Sequence, residues 1–157
     1  MELIGSLITL KPYTLEMCHE FWSEYVSDPL MTDMPYKHDE SKIDEYFISR
    51  INDETRIYFA ICLNDKTIGE IMLKHIDAEE STTTLSIAIS NDKYKNKGYG
   101  TEAEKLIIDY GFNILNLKTI YADTVKRNIR SQHILEKLGF SYIKEEDDFI
   151  YYRLDKK

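Results

Sequence analysis

The spacing of apolar residues changes several times along the chain, and each change predicts an element. Leu3 to Lys11 is rich in apolar and β-branched residues and reads as one strand, stopped by Pro12. Thr14 can then cap a helix with Met17, Phe21, Tyr25 and Val26 on one face, ended by Asp28-Pro29. The following LMTDMPYKHDES has no periodic face and predicts a loop, after which Ser41 to Ile51 reads as a second helix. From Arg56 the period drops to two. IYFAICLNDKTIGEIMLKHID predicts a hairpin turned at Asn64, Asp65 and Lys66, with Gly69 at a bulge in its second strand. Glu79 to Ser81 make the next turn, and Thr82 to Ser90 the next strand.

A Gly-containing basic turn, Lys95 to Gly100, then runs into Ala103, Leu106, Ile107, Tyr110 and Ile114, which share a helical face by 3.6-residue spacing. This helix is expected to end near Asn116. Strand, Gly turn and helix N-terminus in that order leave free N–H groups at the positive end of a dipole, which is an anion site. Beyond it come a strand from Lys118 to Asp123, a helix from Asn128 to Leu138, and closing strands from Phe140 to Lys144 and Phe149 to Leu154. Gly139 is placed to end the last helix in left-handed geometry and return Phe140 to the core. The acidic run Glu145 to Asp148 reads as a solvated turn.

The chain of 157 residues is about one domain long, without repeats or a linker, so residues 1–157 are expected to form a single domain. With 43% hydrophobic and 31% charged residues, neither disorder nor a membrane protein is indicated. No apolar run is long enough to span a bilayer, and the N-terminus does not read as a signal peptide. Cys18 and Cys62 form no CxxC pair and the four histidines are scattered, so a metal site or disulfide framework is not expected. A reduced, cytoplasmic protein is expected. The net charge of −8 argues against a nucleic-acid partner and is compatible with a cationic substrate.

What binds at the Gly turn depends on what the motif lacks. Gly100 is followed by Thr101 and Glu102, with no lysine for a terminal phosphate, so it is not a nucleoside-triphosphate P-loop. Gly98, Gly100 and Ala103 formally match a dinucleotide fingerprint, but too late in too short a chain. The segment instead resembles the phosphate turn of the GNAT superfamily of N-acetyltransferases, whose pattern is Arg or Gln, two residues, Gly, one residue, Gly or Ala. Lys95 stands at the first position and Gly98 and Gly100 match. KGYGTEA is similar to the branch that contains ribosomal-protein N-terminal acetyltransferases. A second block, Tyr121 to Phe140, resembles the next strand and helix of the family through Asn128, Ser131, Glu136, Lys137, Leu138, Gly139 and Phe140.

That resemblance implies an α/β (α+β) fold with a mixed, mostly antiparallel six- to seven-stranded sheet flanked by about four helices. It also implies acetyl-CoA as cosubstrate, with no metal. The pyrophosphate would be held mainly by main-chain N–H groups of Lys95, Asn96, Lys97, Gly98, Tyr99, Gly100 and Thr101. A β-branched side chain at Gly100, as in Gly100→Val, is expected both to resist the turn and to block phosphate approach. Pantetheine would pair along Ile87, Ala88 and Ile89, on a strand splayed from its neighbour, and Asn128 and Ser131 would complete the cofactor side. Lys126, Arg127 and Arg130 are candidates for the 3′-phosphate. The first helix pair borders the acceptor pocket in this family, so Met31, Met34, Tyr36, Tyr46 and Phe47 are candidate lining residues, or only pack the helices.

Acetyl transfer to an amine needs a placed thioester, an oxyanion donor and a route for protons. The tyrosine acid usual in the family would stand four residues before Gly139, where this chain has Leu135, and a common strand carboxylate is replaced by Thr84. Ser131 is the candidate to face the departing sulfur, and Glu70 and Glu146 are alternative bases. The expected activity is acetyl transfer to a primary amine, a small amine, a drug or a protein N-terminus, by direct attack in a ternary complex. The alternative is a coenzyme A-binding module or sensor without turnover. A monomer or homodimer is expected.

Overall fold

A computed structural model describes residues 1–157. Eight strands form one sheet in the order β1-β2-β3-β4-β5-β6-β8-β7. They are β1 (Leu3–Ile4), β2 (Thr9–Pro12), β3 (Ile57–Leu63), β4 (Lys66–Asp77), β5 (Thr82–Ile89), β6 (Thr119–Val125), β7 (Ser141–Glu146) and β8 (Phe149–Asp155). Every neighbouring pair is antiparallel except β5 and β6. The helices are α1 (Leu15–Ser23), α2 (Glu40–Ile51), α3 (Tyr99–Asp109) and α4 (Ile129–Lys137). The mixed, mostly antiparallel sheet and the four helices agree with the sequence, with one strand more than the upper expectation. The extra strand arises because Leu3 to Lys11 is not continuous. Gly5 turns it, donating to Ile8 O at 2.9 Å, so that β1 folds back on β2.

Period-two alternation divides the core between the two faces of the sheet. Phe59 and Ile61 of β3, with Ile71 and Leu73 of β4, join Ala103 and Ile107 of α3 in the larger core. Tyr58, Ala60 and Cys62 of β3, with Met72 of β4, face the opposite way and pack with Cys18 of α1 and Ile43 and Phe47 of α2. By the same alternation Glu70 faces the α1–α2 side. Its cross-strand partner Ala88, and Ser86 opposite Met72, share that face. Ile87 and Ile89 face α3.

Two helix expectations are corrected. α1 ends at Ser23, so Val26 is 62% exposed instead of lying on its buried face, which carries Cys18 and Phe21. α3 passes into a π-turn, Tyr110–Ile114, closed by Leu115 N–H to Tyr110 O at 3.0 Å. The extra residue per turn rotates the phase, which leaves Ile114 60% exposed. Leu106 packs partly buried against the larger core as expected, and the buried residues of α3 also include Glu104.

The first turn of α3 is fastened to the β1–β2 turn by Glu102. Its carboxylate accepts from the N–H groups of Ser6, Leu7 and Ile8 at 2.8, 2.9 and 2.8 Å, and from the Ser6 hydroxyl at 2.7 Å. Burial alone would raise the Glu102 carboxyl, but these hydrogen bonds hold it below the usual range. The hairpin β3–β4 turns at Asn64, in left-handed geometry at φ 56, and the expected bulge adds Ile68 between Thr67 and Gly69. Gly139, at φ 98, ends α4, and Phe140 N–H reaches back to Leu135 O at 3.0 Å. No helix is long and apolar enough to cross a membrane.

Candidate active site

The parallel strands β5 and β6 pair only from Thr82↔Thr119 to Leu85↔Ala122. Past that point each stays paired on its other side, β5 with β4 and β6 with β8, while the two diverge from one another. The divergence opens a cleft of about 540 Å³. Ser86 to Ile89 line one wall and Ala122 to Thr124 the other, and the first turns of α3 (Gly98 to Thr101) and of α4 (Asn128 and Ser131) complete the lining. The splay that the sequence could not display is therefore present, and it frees the β6-facing edge of β5 along Ile87, Ala88 and Ile89.

Ahead of α3 the chain passes Asn96 at φ 59 and Gly98 at φ 86 before entering the helix at Tyr99. The N–H groups of residues 96 to 101 have no backbone acceptor in the protein. Converging free donors at the positive end of a helix suit a pyrophosphate. The turn needs its glycine at Gly98, since L side chains resist positive φ. Gly100 lies in the first helical turn without positive φ, and an added Cβ would meet only Ile87 Cδ1 at 3.7 Å and Ile89 at 3.9 Å. The turn therefore places its positive φ at Gly98 and not at Gly100, so the expected resistance of a β-branched side chain at Gly100 does not come from a left-handed backbone.

The Lys95 ammonium lies 3.0 Å from Asp28 Oδ2 and 3.2 Å from Asp92 Oδ1, so this side chain ties the segment after α1 to the turn. Lys95, Asn96, Tyr99 and Thr101 all line the cleft, and Lys97 does not. Asn128 caps α4 by accepting from Ser131 N–H at 3.1 Å, and its amide approaches Met31 Sδ at 2.9 Å. Ser131 lies on the cleft wall in the first turn of α4, and Leu135, though buried, lines the same cleft. Among the basic candidates Lys126 pairs with Glu145 at 3.4 Å and Arg127 with Asp33 at 3.2 Å. Arg130 lines the cleft.

Two polar groups of the cleft were not anticipated. Glu104 is 5% exposed and its Oε2 has no hydrogen-bond partner; burial pushes its carboxyl up to about 8. Across the cleft Thr124 Oγ1 is also buried and unpartnered. A charged residue between Ala103 and Ile107, four residues after Gly100, was the available signal.

On the α1–α2 face a second cavity of about 190 Å³ abuts the same strand, sharing Lys74, Ser86, Ile87 and Ala88 with the cleft. Glu70 stands in it directly across from Ala88. The Tyr46 hydroxyl donates to Glu70 Oε1 at 2.5 Å, and the Tyr58 hydroxyl donates to Oε2. Burial raises the Glu70 carboxyl and outweighs the opposing hydrogen bonds from Tyr46 and Tyr58. Arg50 lies over the Tyr46 ring at 3.7 Å from its centroid, and Arg56, Lys74 and His75 complete a basic wall.

The remaining candidates separate. Tyr46 lines the second cavity, whereas Met31 lines the cleft. Tyr36 stacks on Trp22 at 5.3 Å, Phe47 is in the core, and Met34 is 72% exposed and lines neither cavity. Glu146 lies on the exposed β7 strand, 2.7 Å from Lys144 Nζ, and is likewise outside both. The hairpin turns at Asp147, which keeps that carboxylate on the solvent side of the sheet edge.

Residues 8–141 match the family described as Acetyltransferase (GNAT) domain. A spermidine N(1)-acetyltransferase of Escherichia coli (strain K12) is 33% identical over 100 residues, covering 64% of this chain and 53% of that protein. The chain thus spans about half the length of that relative. An uncharacterized N-acetyltransferase of Bacillus subtilis (strain 168), YnaD, is 31% identical over 120 residues, covering 74% of this chain and 69% of the relative. A structure provisionally described as a ribosomal-protein-serine acetyltransferase from Vibrio cholerae superposes with a TM-score of 0.83 at 15% identity, covering 99% of this chain and 98% of the other. At that identity the likeness is one of fold.

Proposed function

The chain belongs to the GNAT acetyltransferase family, and from that premise we propose that it transfers the acetyl group of acetyl-CoA to a primary amine. The observation that carries this reading is the meeting of two cavities at one strand. A cleft with unpaired N–H groups and a free strand edge lies on one side of Ser86 to Ala88, and a pocket holding a buried carboxylate lies on the other. In this reading residues 96 to 101 bind the pyrophosphate and the free edge of β5 holds pantetheine, with a main-chain N–H near Ile89 facing the thioester carbonyl.

Glu70 acts as the base. A buried carboxyl with a raised pKa is better matched to taking a proton from an ammonium than a solvated one. The phenols of Tyr46 and Tyr58 hold it in place. The amine then attacks the thioester carbon, the carbon–sulfur bond breaks, and the proton shed by the attacking nitrogen passes to the departing thiolate, which Ser131 steadies. The experiment is release of free coenzyme A from acetyl-CoA against a panel of amines, beside calorimetric acetyl-CoA binding. Turnover is expected, with Glu70→Gln lowering kcat by about 10²-fold or more while acetyl-CoA affinity holds. Tight binding without turnover on any amine would favour the coenzyme A-binding module, a reading supported by Leu135 at the position of the usual tyrosine acid.

A further inference from the structure

The net charge of −8 makes a cationic acceptor the first expectation, and spermidine, named for one relative, is a polycation. The second cavity has the opposite local sign. Its lining carries Arg50, Arg56, Lys74 and His75 against a single carboxylate, Glu70, which is already held by two phenols. Of the three side chains that are always or ordinarily charged, Arg56 is paired with Asp53, while Arg50 and Lys74 have no carboxylate partner. Arg50 has no carboxylate within ion-pair distance, and its hydrogen bonds go to Tyr46 O at 3.4 Å and Ser49 Oγ at 3.3 Å. Arg56 Nε is buried without a hydrogen-bond acceptor, Asp53 Oδ2 lying 3.6 Å away. Lys74 is half-buried and forms no ion pair.

Charge is also graded along the cavity. Glu70, Met72 and Lys74 follow one another on the same face of β4, so the carboxylate and the lysine are separated by about 13 Å of strand. Arg56 stands beside Met72 between them, its Nη1 2.6 Å from Met72 Sδ. A small molecule with its amine at Glu70 would direct its other end toward Arg56 and Lys74. A polyamine would set its further ammonium groups against them, in a part-buried setting where like charges are costly. A carboxylate or phosphate would supply the acceptor oxygens that guanidinium and ammonium donors lack.

We infer that the cavity beside Glu70 selects an amine that also carries an anionic group, a carboxylate or a phosphate, in preference to a polyamine or an uncharged amine. This rests on that cavity being the acceptor side of the proposed transferase. It concerns the acceptor class and is separable from catalysis.

The test uses matched pairs: γ-aminobutyrate against γ-aminobutyramide for a carboxylate, phosphoethanolamine against ethanolamine for a phosphate, and spermidine as the polycation. Calorimetric binding to the full chain preloaded with coenzyme A reads selectivity without requiring turnover. At least one anionic member should bind about tenfold more tightly than its uncharged partner and than spermidine. The pair that responds tells carboxylate from phosphate. Lys74→Gln and, separately, Arg56→Gln should each shrink that ratio, and melting curves check that both variants fold. Equal binding within both pairs, no binding of either anionic amine, or tighter binding of spermidine overturns the inference. Coenzyme A release from the same amines tests the other reading: selective binding without release would remove the transferase proposal and leave the selectivity standing.

Discussion

Glu104 occupies a position on α3 that Ala103 and Ile107 mark as apolar, and the cost of that choice depends on pH. Its carboxyl is pushed up to about 8 in the folded protein, by burial, while an unfolded chain releases the proton near the ordinary value of about 4.3. Below the unfolded value both states are protonated and the group is neutral to stability. As pH rises toward about 8 the unfolded state binds fewer protons, so stability falls, and above the folded value the loss is complete. Thermal melts should therefore show wild type losing stability between pH 5 and pH 8 by a few kcal/mol more than Glu104→Gln. Parallel slopes would mean that Glu104 is solvated. At the start of α4 two neighbours should part company. Ser131→Ala should lower kcat with acetyl-CoA affinity unchanged, because a hydrogen bond to sulfur strengthens only as thiolate charge develops. Asn128→Ala should cost about 1 kcal/mol in a melt through loss of the cap. Residues whose role is local, Thr14, Asn128 and Gly139, were legible from sequence because caps and left-handed turns depend on neighbours in the chain. Glu70 could be named as a candidate, but its phenol partners come from α2 and β3, and no spacing in the chain announces that meeting.

Among the elements, strands and helices with one solvated face were read correctly and the errors fall where the backbone leaves its period. The π-turn after Asp109 rotates Ile114 out of the core, and the Gly5 turn makes a hairpin of one expected strand. Neither leaves a mark in a periodicity that assumes a continuous element. The parting of β5 from β6 is a third case, since apolar Ile87 to Ile89 fits a fully paired strand equally well. The Gly turn gives the element-scale prediction. Gly98→Val should weaken acetyl-CoA binding and destabilise the protein together, because φ 86 is strained for a β-branched residue. Gly100→Ala, which adds a methyl in ordinary contact distance of Ile87 and Ile89, should leave the melting temperature near wild type. Calorimetry and melting of the two variants separate turn geometry from phosphate access. Equal losses at both sites would assign the turn to Gly100 after all.

At the scale of the whole molecule, the cleft between β5 and β6 and the pocket on the α1–α2 face meet at β5, and alternation along β4 and β5 decides which side chains turn to which helices. Glu70, Ser86 and Ala88 turn to α1 and α2 while Ile87 and Ile89 turn to α3, so a shift of register by one residue would turn Glu70 away from its phenol partners. The order of elements and the Gly turn could be read from the chain; the basic wall at Arg50, Arg56 and Lys74 could not, because those residues come from a helix end, a loop and a strand. The contact between Glu102 and the turn at Ser6 to Ile8 carries a different consequence, one that concerns time. The N–H groups of Ser6, Leu7 and Ile8 have their acceptor almost a hundred positions later in the chain. Until Glu102 is translated and the first turn of α3 forms, water alone serves them, and β1 stays an unanchored edge while β3 and β4 are already complete. The β1–β2 turn is thus made well before the residue that fastens it, and that carboxylate sits in the first turn of the helix that borders the cleft.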